Sequence, residues 1–515
     1  MIFFNKLKKM NKNVSVIVFL LFCIYTSVYS QTSTKIVTIP SEIIRDKIRG
    51  GMLGQLLGNI NGLKYEMKFI KEPGNVTNYI PSLPNGAYTD DDTDFEWIYI
   101  YEMQKKRTLS LPYDSIYTFW KQRINRRMWC SNRYVRHLMD MGIKPPFTGY
   151  ISLNPWAEFN ISGQFLCETF GLIAPAMPQT AAKTALNFTR VAIDQEPAQN
   201  TQLFTAMISS AFVDTDINKI LNAGIAALDP KSKTLLIIND IRKWVAQNPE
   251  NWRETRRLIR DKYIQENYGE RDRNGYELNT GSIIAALLYG KGDFQETMKL
   301  VFNFGWDADN TAATTGTILG VMKGYKWFLS QDWQIVDRYR NETRDFMPMD
   351  ETITSFCDRL IAVFEMINEN NGGKKFIQNN TEVFEIVSEQ AKPVILLQTI
   401  SEQKRQVITE LEPTILNHIL SGNREEKASA AYIAICCDLT ETLAKKYPKE
   451  WESAVYELKG YWKVINNVFY PHYGDEFKAL AILRNKFIDA GFKAPGKKYS
   501  DDELYNDTAI WKEPK

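Results

Sequence analysis

Apolar residues recur at helical spacing along most of the chain. Ser41, after Pro40, offers an N-cap, and Ile43, Ile44, Ile48, Met52 and Leu56 follow at intervals that predict a helix. Gly50, Gly51, Gly54, Gly58 and Gly62 share that segment, although each weakens an isolated helix by up to about 1 kcal/mol. Three of them, Gly54, Gly58 and Gly62, stand four apart and form a stripe without side chains against which another backbone can press; Gly316, Gly320 and Gly324 repeat the device. Further helical patterns cover 180–191, 203–212, 217–228 and 235–245. Sustained two-residue alternation with Asn-Gly or Asp-Gly turns is nearly absent. The predicted class is therefore all-α, a helical bundle. From about Asp350 the character changes: 368–373 is a polar, Gly-containing break, and 382–399 holds a few β-branched residues. Helical patterning then resumes through Ile488, before a polar tail at 497–515. The predicted organisation is a main region at 31–350 and a mostly helical accessory region at 376–515.

At 515 residues with 44% hydrophobic content, the chain can bury a large core and exceeds what one core usually organises. Its first thirty residues stand apart. A basic stretch at 6–12, an apolar run at 14–25 and short residues at Val28 and Ser30 predict an export signal over 1–30, with the mature chain starting at Gln31. The expected location is secreted or periplasmic, with no membrane span after cleavage. A buried first helix or an uncleaved anchor is the alternative. Lipid attachment at Cys23 is disfavoured because Phe22 is bulky where a small residue is wanted. The formal charge of +2 turns slightly negative once Lys6, Lys8, Lys9 and Lys12 are removed. Nothing in that balance calls for nucleic acid or anionic lipid as a partner. Arg253, Arg256, Arg257, Arg260 and Lys262 cluster at helical spacing and read as a solvated helix face.

Five cysteines would remain after cleavage, without the even spacing of a disulfide framework, and read as buried thiols. With no C-x-x-C pair and only three histidines, a zinc site or a Ser-His-Asp triad has little raw material. Hydrolytic chemistry, if present, must rest on carboxylates. Trp97, Trp120 and Trp129 read as core, and the stretch 154–158 as a structural turn.

Carboxylates are concentrated in two places. Thr89-Asp90-Asp91-Asp92-Thr93-Asp94 opens one apolar helical pattern. Adjacent like charges repel, and a helix N-terminus offsets only a few tenths to about 1 kcal/mol. A hard divalent cation compensates better, and oxygen-only ligands suit magnesium or manganese. Taken alone, the run suits an acidic cap or a solvated turn better than a metal site. The second place is Gly305-Trp306-Asp307-Ala308-Asp309-Asn310-Thr311, which opens another helical pattern. Two acidic helix starts, each adjoining a glycine-striped helix, raise the odds of one shared site. Trp306, between Gly305 and Asp307, is a candidate for stacking on a sugar or base.

Three blocks in order give the chain a resemblance to the ADP-ribosylglycohydrolases. The segment 49–62 resembles that family's opening helix, 89–93 is similar to its T-D-D-T, and 305–321 to its G-G-D-x-D-T-x-A-A-x-x-G-x-x-x-G-A. The likeness covers roughly 42–330. It implies an all-α fold and two magnesium ions, with manganese possible, held by Thr89, Asp90, Asp91, Asp92, Asp307, Asp309 and Asn310. By position Asp90 takes the place of the leading Thr, Asn310 that of the Thr after the last Asp, and Asn59 that of an Asp in the opening helix. Glu66 stands where one branch has a functional glutamate, and Gly163-Gln164-Phe165-Leu166-Cys167-Glu168 resembles a branch with arginine at the place of Leu166.

The resemblance implies a magnesium-dependent hydrolase of an ADP-ribosyl or related glycosidic bond, with Glu66, Asp92 and Asp309 catalytic and Trp306, Gln164 and Glu168 as substrate contacts. Its partner would be a small molecule or a glycan. The rival expectation is a non-catalytic protein that keeps the fold, binds a divalent ion with a sugar or nucleotide, and meets a protein partner through its C-terminal region.

Overall fold

The computed structural model describes residues 35–159, 161, 163–265, 274–471 and 477–514. The expected export signal, with Cys23 and the Ser30/Gln31 junction, lies outside the described residues. The chain divides into two compact units, Met1–Ile36 and Val37–Lys515, and the first is described only at Lys35 and Ile36. The second is overwhelmingly helical, in agreement with the all-α expectation, with two small sheets among the described residues. None of the described helices is long and apolar enough to cross a membrane.

After strand β1 (Lys35–Pro40), helix α1 (Ser41–Gly62) carries the glycine stripe. Strand β2 (Ala87–Tyr88) leads into α2 (Asp91–Lys106), and α3 (Cys130–Asp140) and the short α4 (Glu168–Leu172) follow. Next come α5 (Gln195–Ala211), α6 (Trp252–Tyr263), α7 (Tyr276–Gly290), α8 (Phe294–Phe304) and α9 (Ala308–Lys323), the second glycine-striped helix. The predicted segment 203–212 is only the latter half of α5, because Asp194 accepts from the Gln195 amide and the polar run behind it is buried.

The two stripes meet. A side chain on Gly54 would come within 2.1 Å of the Gly316 carbonyl oxygen, one on Gly58 within 2.1 Å of that of Ala312, and one on Gly50 within 2.5 Å of that of Gly320. The pairs run in opposite directions, so α1 and α9 are antiparallel with their backbones in contact. Gly62 at the end of α1 then lies against the start of α9, where a methyl group on it would come within 2.4 Å of the Asp309 Cα. This backbone contact brings the second acidic segment to the first helix.

Strands β3 (Tyr339–Arg340) and β4 (Asp350–Glu351) continue the sheet begun by β2, with Ala87 opposite Tyr339 and Tyr88 opposite Arg340. Helix α10 (Ile353–Asn370) packs near α1 and α2. Beyond it, β5 (Lys374–Gln378) and β6 (Thr381–Ser388) form a hairpin that the sequence pattern did not predict. Its turn is Asn379-Asn380, both at positive φ (+49° and +61°); the backbone is that of a two-residue hairpin turn, but the usual glycine is missing.

Apolar side chains from Ile44 to Ile386 form the main core. A second cluster joins α3 and the turns before Phe159 to α11 (Ile400–Ser421), α12 (Arg424–Cys436), α13 (Pro448–Gly460) and α14 (Lys478–Asp489). Tyr134 and Tyr432 share a 2.7 Å hydroxyl contact inside it, and Asn467 bonds His137 at 2.7 Å. The expected core residues Trp97 and Trp120 are buried, while Trp129 is half-buried. Asn154 caps the 3-10 turn Pro155–Glu158 by accepting from the Trp156 amide, so this stretch is structural. Cys130, Cys167, Cys357, Cys436 and Cys437 are buried free thiols.

Candidate metal centre

Asp90 and Asp307 occupy the N-cap positions of α2 and α9, yet neither side chain caps its helix. An acidic cap would accept from the amides of its own first turn. Asp90 Oδ2 instead accepts from Asn59 Nδ2 across the gap to α1, at 2.8 Å. Both acidic runs are thus neither caps nor solvated turns: Asp92, Asp307 and Asp309 are buried.

Carboxylate oxygens of Glu66, Asp307 and Asp309 lie within 4.8 Å of one another, and so do those of Asp90, Asp92 and Asp309. Magnesium–oxygen bonds are about 2.1 Å, so ligands on opposite sides of an ion stand about 4.2 Å apart. Each group can therefore close on an ion with small movements. Asp309 belongs to both.

The groups differ in exposure and support. Glu66 is exposed, on the loop after the 3-10 turn Leu63–Tyr65 that extends α1. The Asp307 amide donates to Asn279 Oδ1 of α7 at 3.1 Å. Asp92 is held from both sides: Asn310 Nδ2 donates to its Oδ1 at 2.7 Å and Asn59 Nδ2 to its Oδ2 at 3.3 Å. Gln55 Nε2 bonds the Asp92 carbonyl at 3.3 Å. The carbonyl oxygens of the two asparagine amides, Asn59 Oδ1 and Asn310 Oδ1, and Asp309 Oδ1 are buried without a hydrogen-bond partner. Three orphaned buried oxygens beside an acidic cluster are what a hard cation requires, so the donor set fits a divalent ion.

Electrostatics point the same way. Burial, then repulsion from Asp309, Asp91 and Asp90, raises Asp92 well above the usual carboxylate range. Asp307 and Asp309 are raised well above it by burial first, with Asp92 and Glu66 next for Asp307 and Asp307 and Glu66 for Asp309. Asp91 is raised in the same manner, and Asp90 less so because Asn59 donates to it. Asp94 stands outside the cluster: its carboxylate pairs with Arg344 Nε at 2.7 Å, both side chains fully buried.

Several candidate residues are placed differently from the sequence reading. Asp91 is half-buried and belongs to neither three-carboxylate group. The Thr89 hydroxyl accepts from the Glu342 amide at 2.7 Å, tying β2 to the loop after β3. Trp306 is fully buried beneath the Arg256 guanidinium, 4.3 Å from its ring centroid, so it offers no face to a sugar. Gln164 and Glu168 are also fully buried. Glu168 accepts from the Thr314 hydroxyl of α9 and faces Glu96, which in turn accepts from Gln55 Nε2 at 2.9 Å and the Thr169 amide at 3.1 Å. Sequence reasoning missed Asn279 and Gln55, which carry no charge to attract notice.

A family model described as ADP-ribosylglycohydrolase matches residues 40–370. A solved structure described as an "ADP-ribosylglycohydrolase-related protein complex" is 16% identical, with a TM-score of 0.39, and covers 63% of this chain and 99% of its own. No curated protein matches.

Proposed function

The chain belongs to the ADP-ribosylglycohydrolase family, and from that premise we propose that it is a secreted, magnesium-dependent hydrolase cleaving an ADP-ribosyl or related glycosidic bond. The observation that carries the reading is the pair of three-carboxylate groups joined through Asp309. Glu66, Asp307 and Asp309 would hold one ion, and Asp90, Asp92 and Asp309 a second; manganese suits the same oxygens. A bound divalent ion supplies positive charge for sugar hydroxyls and acidifies the attacking water.

The chain's own residues do the rest. Asn59 and Asn310 fix both oxygens of Asp92, so its orientation precedes ligand binding. Glu66 is the one exposed carboxylate of the two groups, and we assign it the proton taken from, or returned by, the reacting water. Residues 31–350 would form the catalytic region and 376–515 an accessory one, with 1–30 removed on export.

Asn59, an amide where the family's opening helix has an aspartate, also favours a second reading, a non-catalytic binder of a divalent ion and a sugar or nucleotide, because it brings no charge to the centre. Calorimetry with magnesium and manganese, followed by turnover assays on ADP-ribosyl-arginine, ADP-ribosyl-serine, O-acetyl-ADP-ribose and a glycan panel, separates the two. The enzyme reading expects ion binding that Asp309→Ala abolishes, and turnover of at least one substrate. Ion and sugar binding without any turnover would favour the binder. Wild-type protein that binds no divalent ion would remove the centre altogether.

A further inference from the structure

Glu66 lies on the loop after the 3-10 turn Leu63–Tyr65, and a loop carboxylate needs an anchor if it is to meet Asp307 and Asp309 within metal-binding reach. The chain after Glu66 runs beside the turn that leads into α9. Met67 N donates to the Trp306 carbonyl at 2.7 Å, and Trp306 N to the Phe69 carbonyl at 3.4 Å. The turn itself is unusual: Gly305 has φ +75° and Trp306 φ +56°, a left-handed conformation that a bulky residue adopts only when its surroundings hold it there. A side chain at Gly305 would lie 2.4 Å from the Phe69 carbonyl oxygen.

Both segments are held by one side chain from α6. Arg256 Nε donates to the Phe304 carbonyl at 3.1 Å, Nη1 to that of Lys71 at 3.0 Å, and Nη2 to those of Phe69 and Ile70 at 2.8 and 3.0 Å. Its guanidinium plane lies over Trp306. The sequence pattern assigns Arg256 to a solvated face; it is 1% exposed, while its neighbour Arg257 pairs on the surface with Glu254 and Asp261. Burying a cation among neutral carbonyls is expensive. Lysine could not replace it, having three donors about one point and no plane to stack.

We propose that Arg256 is the positioning residue of the Glu66–Asp307–Asp309 group, clamping the loop that carries Glu66 to the turn that carries Asp307. The proposal rests on the metal-centre reading, and its consequence is selective: loss of the clamp loosens this group and leaves Asp90–Asp92–Asp309, built on α2 and α9, in place.

The test is manganese titration of the full mature chain by calorimetry, with folding checked by circular dichroism. Wild type is expected to bind two ions. Arg256→Lys is expected to keep one at wild-type affinity and weaken the other at least tenfold, and methylguanidinium added to Arg256→Ala is expected to restore part of that loss. Asp92→Ala should spare the ion that Arg256→Lys weakens. Two ions of unchanged affinity in Arg256→Lys would overturn the proposal alone. Wild type binding no ion would overturn the metal-centre reading and the proposal with it. Failure of both Arg256 variants to fold would make the side chain a general stability element and would also overturn it.

Discussion

Gly58→Ala sets two physical effects against each other with opposite signs. In the interior of α1, alanine is favoured over glycine by about 1 kcal/mol on helix propensity alone, so an isolated helix would gain stability. In the folded chain the added methyl would sit 2.1 Å from the Ala312 carbonyl oxygen, 2.4 Å from its carbon and 2.8 Å from the Ala313 nitrogen. All three are backbone atoms of a helix and cannot rotate away. Relief needs α1 and α9 to part by roughly 1 Å, and a gap of that size forfeits a quarter to a half of each dispersion contact along the seam. Overpacking of a rigid interior costs about 1–3 kcal/mol, sometimes more, and this contact belongs at the upper end. The expected net effect is a loss of about 2 kcal/mol, read from the urea midpoint at unchanged slope. The same separation moves Asn310 and Asp309 away from Asn59, so divalent-ion affinity should fall along with stability. Gly496→Ala, where no atom lies within 4 Å, is the control and should change stability by less than about 1 kcal/mol. A Gly58→Ala protein as stable as wild type, or more stable, would show that the two backbones are not in contact and that the glycine stripe has another cause.

Magnesium or manganese is expected to raise the melting temperature of the wild type, and Asp309→Ala should abolish that rise because both carboxylate groups lose their common member; thermal melts with and without ion check it. Glu168 is buried, and burial pushes its carboxyl up to about 7 despite the Thr314 and Cys167 hydrogen bonds. A folded-state value raised above the ordinary 4.5 means stability is lost as pH rises from about 4.5 through about 7, so Glu168→Gln should overtake wild type across that window; melts from pH 5 to 8 with a constant difference would refute it. Arg344→Ala leaves the fully buried Asp94 carboxylate without its cation and should cost about 3–5 kcal/mol, measured by denaturant unfolding. Intact-mass analysis of protein from the native host should find a chain starting at Gln31; a lipid-modified Cys23 would overturn that expectation.

The acidic runs and the glycine stripes were legible in the sequence because both are local: four carboxylates in five residues and a four-residue glycine interval mean much the same in any fold. What they meet was not. Asp90 and Asp91 are chemically alike and adjacent, and only the geometry at the start of α2 decides that Asp90 reaches Asp92 and Asp309. Thr89 looks like a ligand until Glu342, distant in sequence, arrives to use its hydroxyl. Arg256 and Arg257 share one basic, helical pattern, and the pattern is the same whether a given position faces water or a loop carbonyl. The β5–β6 hairpin was missed for a different reason, since Asn379-Asn380 performs the turn that Asn-Gly ordinarily announces.

The charge balance around the centre gives the metal reading its physical basis beyond family membership. Arg344, the buried cation that pairs with an aspartate of α2, is committed to Asp94, and it also donates to the carbonyls of Arg126 and Arg127. Arg256 is committed to four carbonyls on the other side. Asn59 and Asn310 bring donors but no charge. A chain that selected only for folding would gain by exchanging one of Asp92, Asp307 and Asp309 for an amide, because partnered amides cost less to bury than repelling carboxylates. Keeping Asp92 and Asp307 buried against Asp309 fits a cation that arrives from outside the chain, and the same deficit would make that cation's binding free energy part of the stability of the fold.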